Sequence, residues 1–181
     1  MVATFQLVRA WTTATVIVAV LAASASAGAV QPTRPPTQAQ VSAAIKKAKR
    51  STDLWATVNV CNTRSHPNSI GIRAQIPSLG FTSRMYVDIQ VEYWSSQASA
   101  FEPVPRARAL IALGRAARDV FQGGALFPFD PHAGLLTGRV TFEWRRGSKL
   151  LGRVTRPTTR GHPQADFGDP PRYSSSKCEI P

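Results

Sequence analysis

Acidic residues are scarce in this chain. Only 10 Asp and Glu stand against 22 Lys and Arg, a formal net charge of +12 over 181 residues. The charged fraction is itself low, 18%, so the basic surplus comes from missing acids. Cysteine is also rare. There are two, Cys61 and Cys178, far apart in the chain, and with His66 the one histidine near either of them the paired Cys/His spacing of a zinc site is absent. The three histidines, His66, His132 and His162, all fall in turn-like stretches next to or near proline. There is no Gly-x-Ser-x-Gly elbow, which excludes the usual serine-hydrolase nucleophile. There is no Gly-x-x-x-x-Gly-Lys-Ser/Thr, no Gly-x-Gly-x-x-Gly and no His-Glu-x-x-His, which removes phosphate loops, dinucleotide fingerprints and zincin chemistry. No internal repeat occurs, and beyond the N-terminus no run is long and apolar enough to span a membrane. An apolar fraction of 43% is ordinary for a packed core and argues against global disorder.

What the N-terminus does contain is a tripartite export pattern. Arg9 precedes the apolar run Ala14–Ala23, and Ala25-Ser26-Ala27 supplies the small residues that a signal peptidase reads. The pattern predicts a signal peptide over 1–27 with cleavage before Gly28; Ala23-Ser24-Ala25 is a second cut, and an uncleaved anchor is the alternative. The apolar core is shorter than the roughly 20 residues that a spanning helix needs. No Cys follows it to take a lipid. A secreted or extracytoplasmic location makes one intramolecular disulfide, Cys61–Cys178, the expected state of the two cysteines, against a free thiol pair or a bond between chains.

Residues 28–40 read as a linker rich in proline, with Pro32, Pro35 and Pro36. A single domain follows over 41–181, entered by a short amphipathic helix over 38–50 on Val41, Ala44, Ile45 and Ala48. Lys46, Lys47, Lys49 and Arg50 gather at the end of that helix where its dipole favours cations. Strands then dominate. Leu54–Asn62 carries apolar residues on both faces and reads as a central strand. Ile70–Ile76 and Met85–Trp94 alternate with period two. The segment 105–122 admits either a helical stripe on Leu110, Leu113, Ala117, Val120 and Phe121 or strands; neighbouring strands favour the second. Val140, Phe142 and Trp144 alternate with Arg139, Thr141, Glu143 and Arg145 up to a hairpin turn at Arg146-Gly147-Ser148. About seven short strands, with turns every 8–12 residues, predict a mainly β, antiparallel two-sheet sandwich with an immunoglobulin-like order as one candidate topology.

Asp-Leu-Trp-Ala-Thr-Val-Asn-Val-Cys-Asn at 53–62, Asn-Ser-Ile-Gly-Ile-Arg at 68–73, Gln-Gly-Gly-Ala-Leu-Phe at 122–127 and Ala-Asp-Phe-Gly-Asp-Pro-Pro at 165–171 resemble a family of small secreted proteins of high-GC Gram-positive bacteria. The likeness spans about residues 40–180. It implies secretion and one extracytoplasmic domain, and it carries no catalytic residues or cofactor.

Two clusters are candidates for chemistry. His162, Asp166 and Asp169 form a His-carboxylate set suited to a divalent cation, and the basis for a cation-dependent hydrolase. The same Gly-His-Pro and Gly-Asp-Pro-Pro sequences are also ordinary turn chemistry. Arg139, Arg145, Arg146, Lys149, Arg153 and Arg156, with Arg160 beyond them, make a basic hairpin fit for an anionic envelope polymer or phospholipid head groups, or else a solvated strand face. Asp88 and Glu92, about 13 Å apart along one strand at roughly 3.3 Å per residue, read as solvated charges. Phe142 and Trp144 alternate with the arginines toward the core, so no specific nucleic-acid contact is expected. The residues add up to a non-enzymatic binding or structural module whose partner is an envelope polymer or another extracytoplasmic protein, with no cofactor.

Overall fold

The computed structural model describes residues 35–181; the expected signal peptide and the linker up to residue 34 lie outside them. Helix α1 spans Gln38–Ala48 and begins inside the stretch read as linker. Its start is fixed by a reciprocal cap. Gln40 N–H donates to the Thr37 hydroxyl, and Thr37 N–H donates to Gln40 Oε1 at 2.8 Å. Val41, Ile45 and Ala48 form its buried face. Ile45 seats over Gly152, where an added Cβ would lie 2.7 Å from the Ile45 side chain, so only glycine lets the helix dock. The Arg156 guanidinium donates to the Lys49 carbonyl at the other end of the helix.

Eight strands follow: β1 Trp55–Cys61, β2 Ser69–Pro77, β3 Ser83–Ser95, β4 Ala100–Ala116, β5 Val120–Pro128, β6 Gly134–Arg146, β7 Lys149–Pro157 and β8 Lys177–Ile180. They form two packed antiparallel sheets, one ordered β1-β2-β5 and the other β4-β3-β6-β7, with β8 beside the start of β6. Named in immunoglobulin style, the order is A-B-E against C′-C-F-G, with β8 added. Ile70, Ile72, Ala74 and Ile76 of one sheet meet Met85, Val87, Ile89, Val140, Phe142 and Trp144 of the other, all essentially inaccessible. Strands β3, β4 and β6, at 13, 17 and 13 residues, are long and not short as expected.

The open segment 105–122 is strand, split between β4 and β5. The helical stripe fails because Leu110 and Val120 are exposed. Tertiary pairing of β4 with β3 overrides local helix propensity. Pro103 and Pro105 are tolerated because β4 is an edge strand with one row of N–H groups unpaired.

Strand β1 corrects the reading of a central strand. It is the edge of the three-stranded sheet. Both its faces are covered because residues 158–176, of which 158–171 read from the sequence as a long polar loop, run as a strap over its outer side. Ser175 exchanges backbone hydrogen bonds with Val58 in an antiparallel bridge, Asp169 joins Val60 in a parallel one, and the Thr57 hydroxyl bonds Ser174. A bulge between Val58 and Val60 then shifts the register. Cys61 thereby sits opposite the buried Ile70, on the inner face, and not on the Trp55–Asn59 face where strict alternation places it. From there it is bonded to Cys178 of β8, joining the two sheets.

Candidate functional site

The sequence-derived trio is not assembled. His162 lies flat on Trp55, with ring centroids 4.7 Å apart and planes 12° from parallel, and its Nε2 meets the Thr159 hydroxyl at 2.9 Å. Asp166 is used through its backbone, its carbonyl accepting from Asn59 Nδ2 at 2.9 Å and Arg73 Nε at 3.2 Å. The Asp169 carboxylate accepts from the Thr63 hydroxyl at 2.5 Å and pairs with His66 Nδ1 at 3.0 Å. Among the described residues no group of three His, Cys, Asp or Glu side chains is gathered to hold a metal. The residues 161–171 work instead as the strap, tied down by Asn59, Arg73 and Gln122.

Two of the strap's groups titrate away from their usual values. Desolvation pushes the His162 imidazole below its ordinary pKa near 6.5. Hydrogen bonds from Thr63, His66 and Ser65 hold the Asp169 carboxyl below the usual carboxylate range. In both cases the unfolded chain takes up the proton first, so stability is complete above the unfolded value and falls as pH drops through the folded one. Melting temperature measured against pH should therefore begin to decline below about pH 6.5 from His162 and steepen below about pH 4 from Asp169. His162→Gln should remove the first decline and leave the second.

The basic hairpin divides on inspection. Arg139 is bound by Glu92 through two contacts, 2.5 Å from Nε and 3.2 Å from Nη2, and Glu92 is 4% exposed. Asp88 is likewise held by Arg108, at 2.8 and 2.5 Å. These two acids are thus ion-paired cross-strand and not solvated. Arg156 caps α1. Arg145 pairs with Glu143 at 2.6 Å and lies over Tyr86; Arg146 lies over Phe81. Lys149 and Arg153 are exposed and form no ion pair among the described residues.

The register adds what the linear sequence hides. Arg84 of β3 is paired with Arg115 of β4 on one side and with Arg145 of β6 on the other. Directly paired residues of neighbouring strands share a face, and the strands lie about 4.8 Å apart. The outer face of the five-stranded sheet therefore ends in a row of three arginines. Arg84 and Arg115 are exposed and, among the described residues, have no acidic partner. Arg146 and Lys149 stand at the same end, on either side of the β6–β7 turn. Arg84 and Arg115 were missed because they are isolated in sequence. Pairing Met85–Trp94 with 100–116 as one hairpin is the signal that would have found them.

Family models, curated proteins and solved structures were compared with the chain, and none matches.

Proposed function

We propose that this chain is a secreted, non-enzymatic sandwich module that holds an anionic polymer of the cell envelope at the arginine-lined end of its five-stranded sheet. The observation that carries this reading is the cross-strand row Arg115, Arg84, Arg145. Like charges placed directly opposite one another destabilise a sheet. A polymer with repeated phosphate or carboxylate groups relieves that repulsion by lying across the strands and contacting successive arginines. Glu143 already shares Arg145, which leaves Arg84 and Arg115 as the free anchors. The Cys61–Cys178 bond fits an oxidising, extracytoplasmic compartment. Among the described residues no helix is long and apolar enough to cross a membrane. Export by the 1–27 segment and kinship with the small secreted proteins of high-GC Gram-positive bacteria belong to the same proposal.

The test is charge reversal of the anchors. Arg84→Glu with Arg115→Glu should weaken binding of the mature chain to a poly(glycerol phosphate) matrix by roughly 30- to 1,000-fold, taking about 1 kcal/mol for each basic residue lost and as much again for reversal. Circular dichroism should be unchanged, because both side chains are exposed. Retention equal to that of the unaltered chain would contradict the assignment.

A further inference from the structure

The outer face of the other sheet carries a second, smaller feature. Arg73 projects from β2, the middle strand of the three-stranded sheet, into a cleft of about 520 Å³ between that sheet and the strap. Volumes of this order suit a small ligand. The floor around Arg73 is bare backbone. Gly71 precedes it by two residues, and Gly124 of β5 lies opposite it in register. A Cβ at Gly124 would come 2.2 Å from the Ile72 carbonyl oxygen, and one at Gly71 2.7 Å from Val60 Cβ, so neither position admits a side chain.

Arg73 is half-buried and forms no ion pair among the described residues. Its Nε donates to the Asp166 carbonyl, and among the described residues the rest of its fork makes no hydrogen bond. Burial lowers its pKa, against the opposing charge of Asp166. A partly desolvated guanidinium that feels Asp166 only at a distance, with no carboxylate in direct contact, is costly, and an anion that meets its free N–H groups lowers the cost.

The walls complete a recognition site. Phe167 is 83% exposed, the most exposed of the large apolar side chains described, and its ring lies 4.8 Å from Arg73 Cζ. It is held there by polar contacts of its own backbone, since Asn59 Nδ2 donates to both the Asp166 and Phe167 carbonyls. An exposed aromatic ring lying over a cation is a ready surface for a flat ligand. His66 lines the same cleft. Its Nδ1 is committed to Asp169, and among the described residues its Nε2 has no hydrogen-bond partner, leaving one directed polar contact for a ligand.

We propose that this cleft binds a small organic anion, a carboxylate or phosphate borne on an aromatic or other flat group, with Arg73 holding the anion and Phe167 covering the flat part. This site lies on the opposite sheet from the arginine row and does not depend on it.

The experiment is a titration of the mature chain with benzoate in one arm and phenyl phosphate in the other, followed by ¹H–¹⁵N spectra that include the Arg73 side chain. At least one probe should shift Arg73 Nε–H and the backbone amides of 166–169 saturably; the arm that does so identifies the anion. Arg73→Met should weaken that binding tenfold or more, as expected for a charged hydrogen bond. Phe167→Ala, a change on an exposed side chain, should weaken it about two- to fivefold. The Arg84→Glu/Arg115→Glu chain should bind the probe as the unaltered chain does. Absence of saturable shifts at Arg73 in both arms would overturn the proposal. So would probe binding that survives Arg73→Met but is lost in the Arg84→Glu/Arg115→Glu chain.

Discussion

Replacing both cysteines, as Cys61→Ser with Cys178→Ser, should lower the melting temperature by about 10–20 °C. The bond spans 117 residues of sequence, and closing a loop of that size removes about 4–5 kcal/mol of chain entropy from the unfolded state, as an upper value. For a domain of this size each kcal/mol moves the midpoint by roughly 2–4 °C. The structural consequence is local as well as global. β8 has only four residues, pairs among the described strands with β6 alone, and carries the fully buried Ile180. Without the covalent tie, hydrogen exchange should rise first along β8 and along Gly134–Thr137 of β6, its partner residues. Unchanged melting, with β8 still protected, would show that packing alone holds the C-terminus.

Trp144→Ala should be the most damaging single substitution in the sandwich. The ring is fully buried between the sheets, and truncation of a buried aromatic costs about 3–5 kcal/mol. Its Nε1–H also donates to the Pro77 carbonyl at 2.7 Å, a bond from one sheet to the other. Losing the donor leaves that carbonyl unpaired in the core, which adds about 1–3 kcal/mol. Trp144→Phe separates the two effects, because it keeps most of the apolar volume and removes only the donor. Urea denaturation should place Trp144→Phe between the unaltered chain and Trp144→Ala. Equal midpoints for Trp144→Phe and the unaltered chain would mean the hydrogen bond contributes nothing net.

The sandwich was legible because alternation reports burial directly. Val87, Ile89, Val140, Phe142 and Trp144 all face the core as period two requires. Cys61 shows where that rule stops. A one-residue bulge after Val58 turns every later side chain of β1 over, and nothing in Asn59-Val60-Cys61 announces it. The pairing with Cys178 was still readable, since it followed from cysteine count and export and not from the face of the strand.

β1 failed for a different reason. Apolar residues on both faces mean cover on both sides, and a sheet neighbour is only one kind of cover. Here the strap 158–176 supplies it through Thr57, Asn59 and backbone bridges. Glu92 and Asp88 looked solvated because their partners, Arg139 and Arg108, are remote in sequence and meet them only across strands. The candidate sites share this property. Arg84 and Arg115 become a row with Arg145, and Arg73 becomes a desolvated cation under Phe167, only after register and strap are in place. Hydrophobic pattern encodes faces; charge constellations depend on register.

The measurement that tests the central claim most directly is the affinity of the mature chain for poly(glycerol phosphate) between about 50 and 200 mM salt. Contacts from the arginine row predict a logarithm of affinity that falls linearly with the logarithm of salt. Its slope should be roughly −2 to −4, and Arg84→Glu should make it shallower by about one. Affinity that stays level over this range, or a slope that Arg84→Glu leaves unchanged, would contradict an anionic polymer bound at the arginine row.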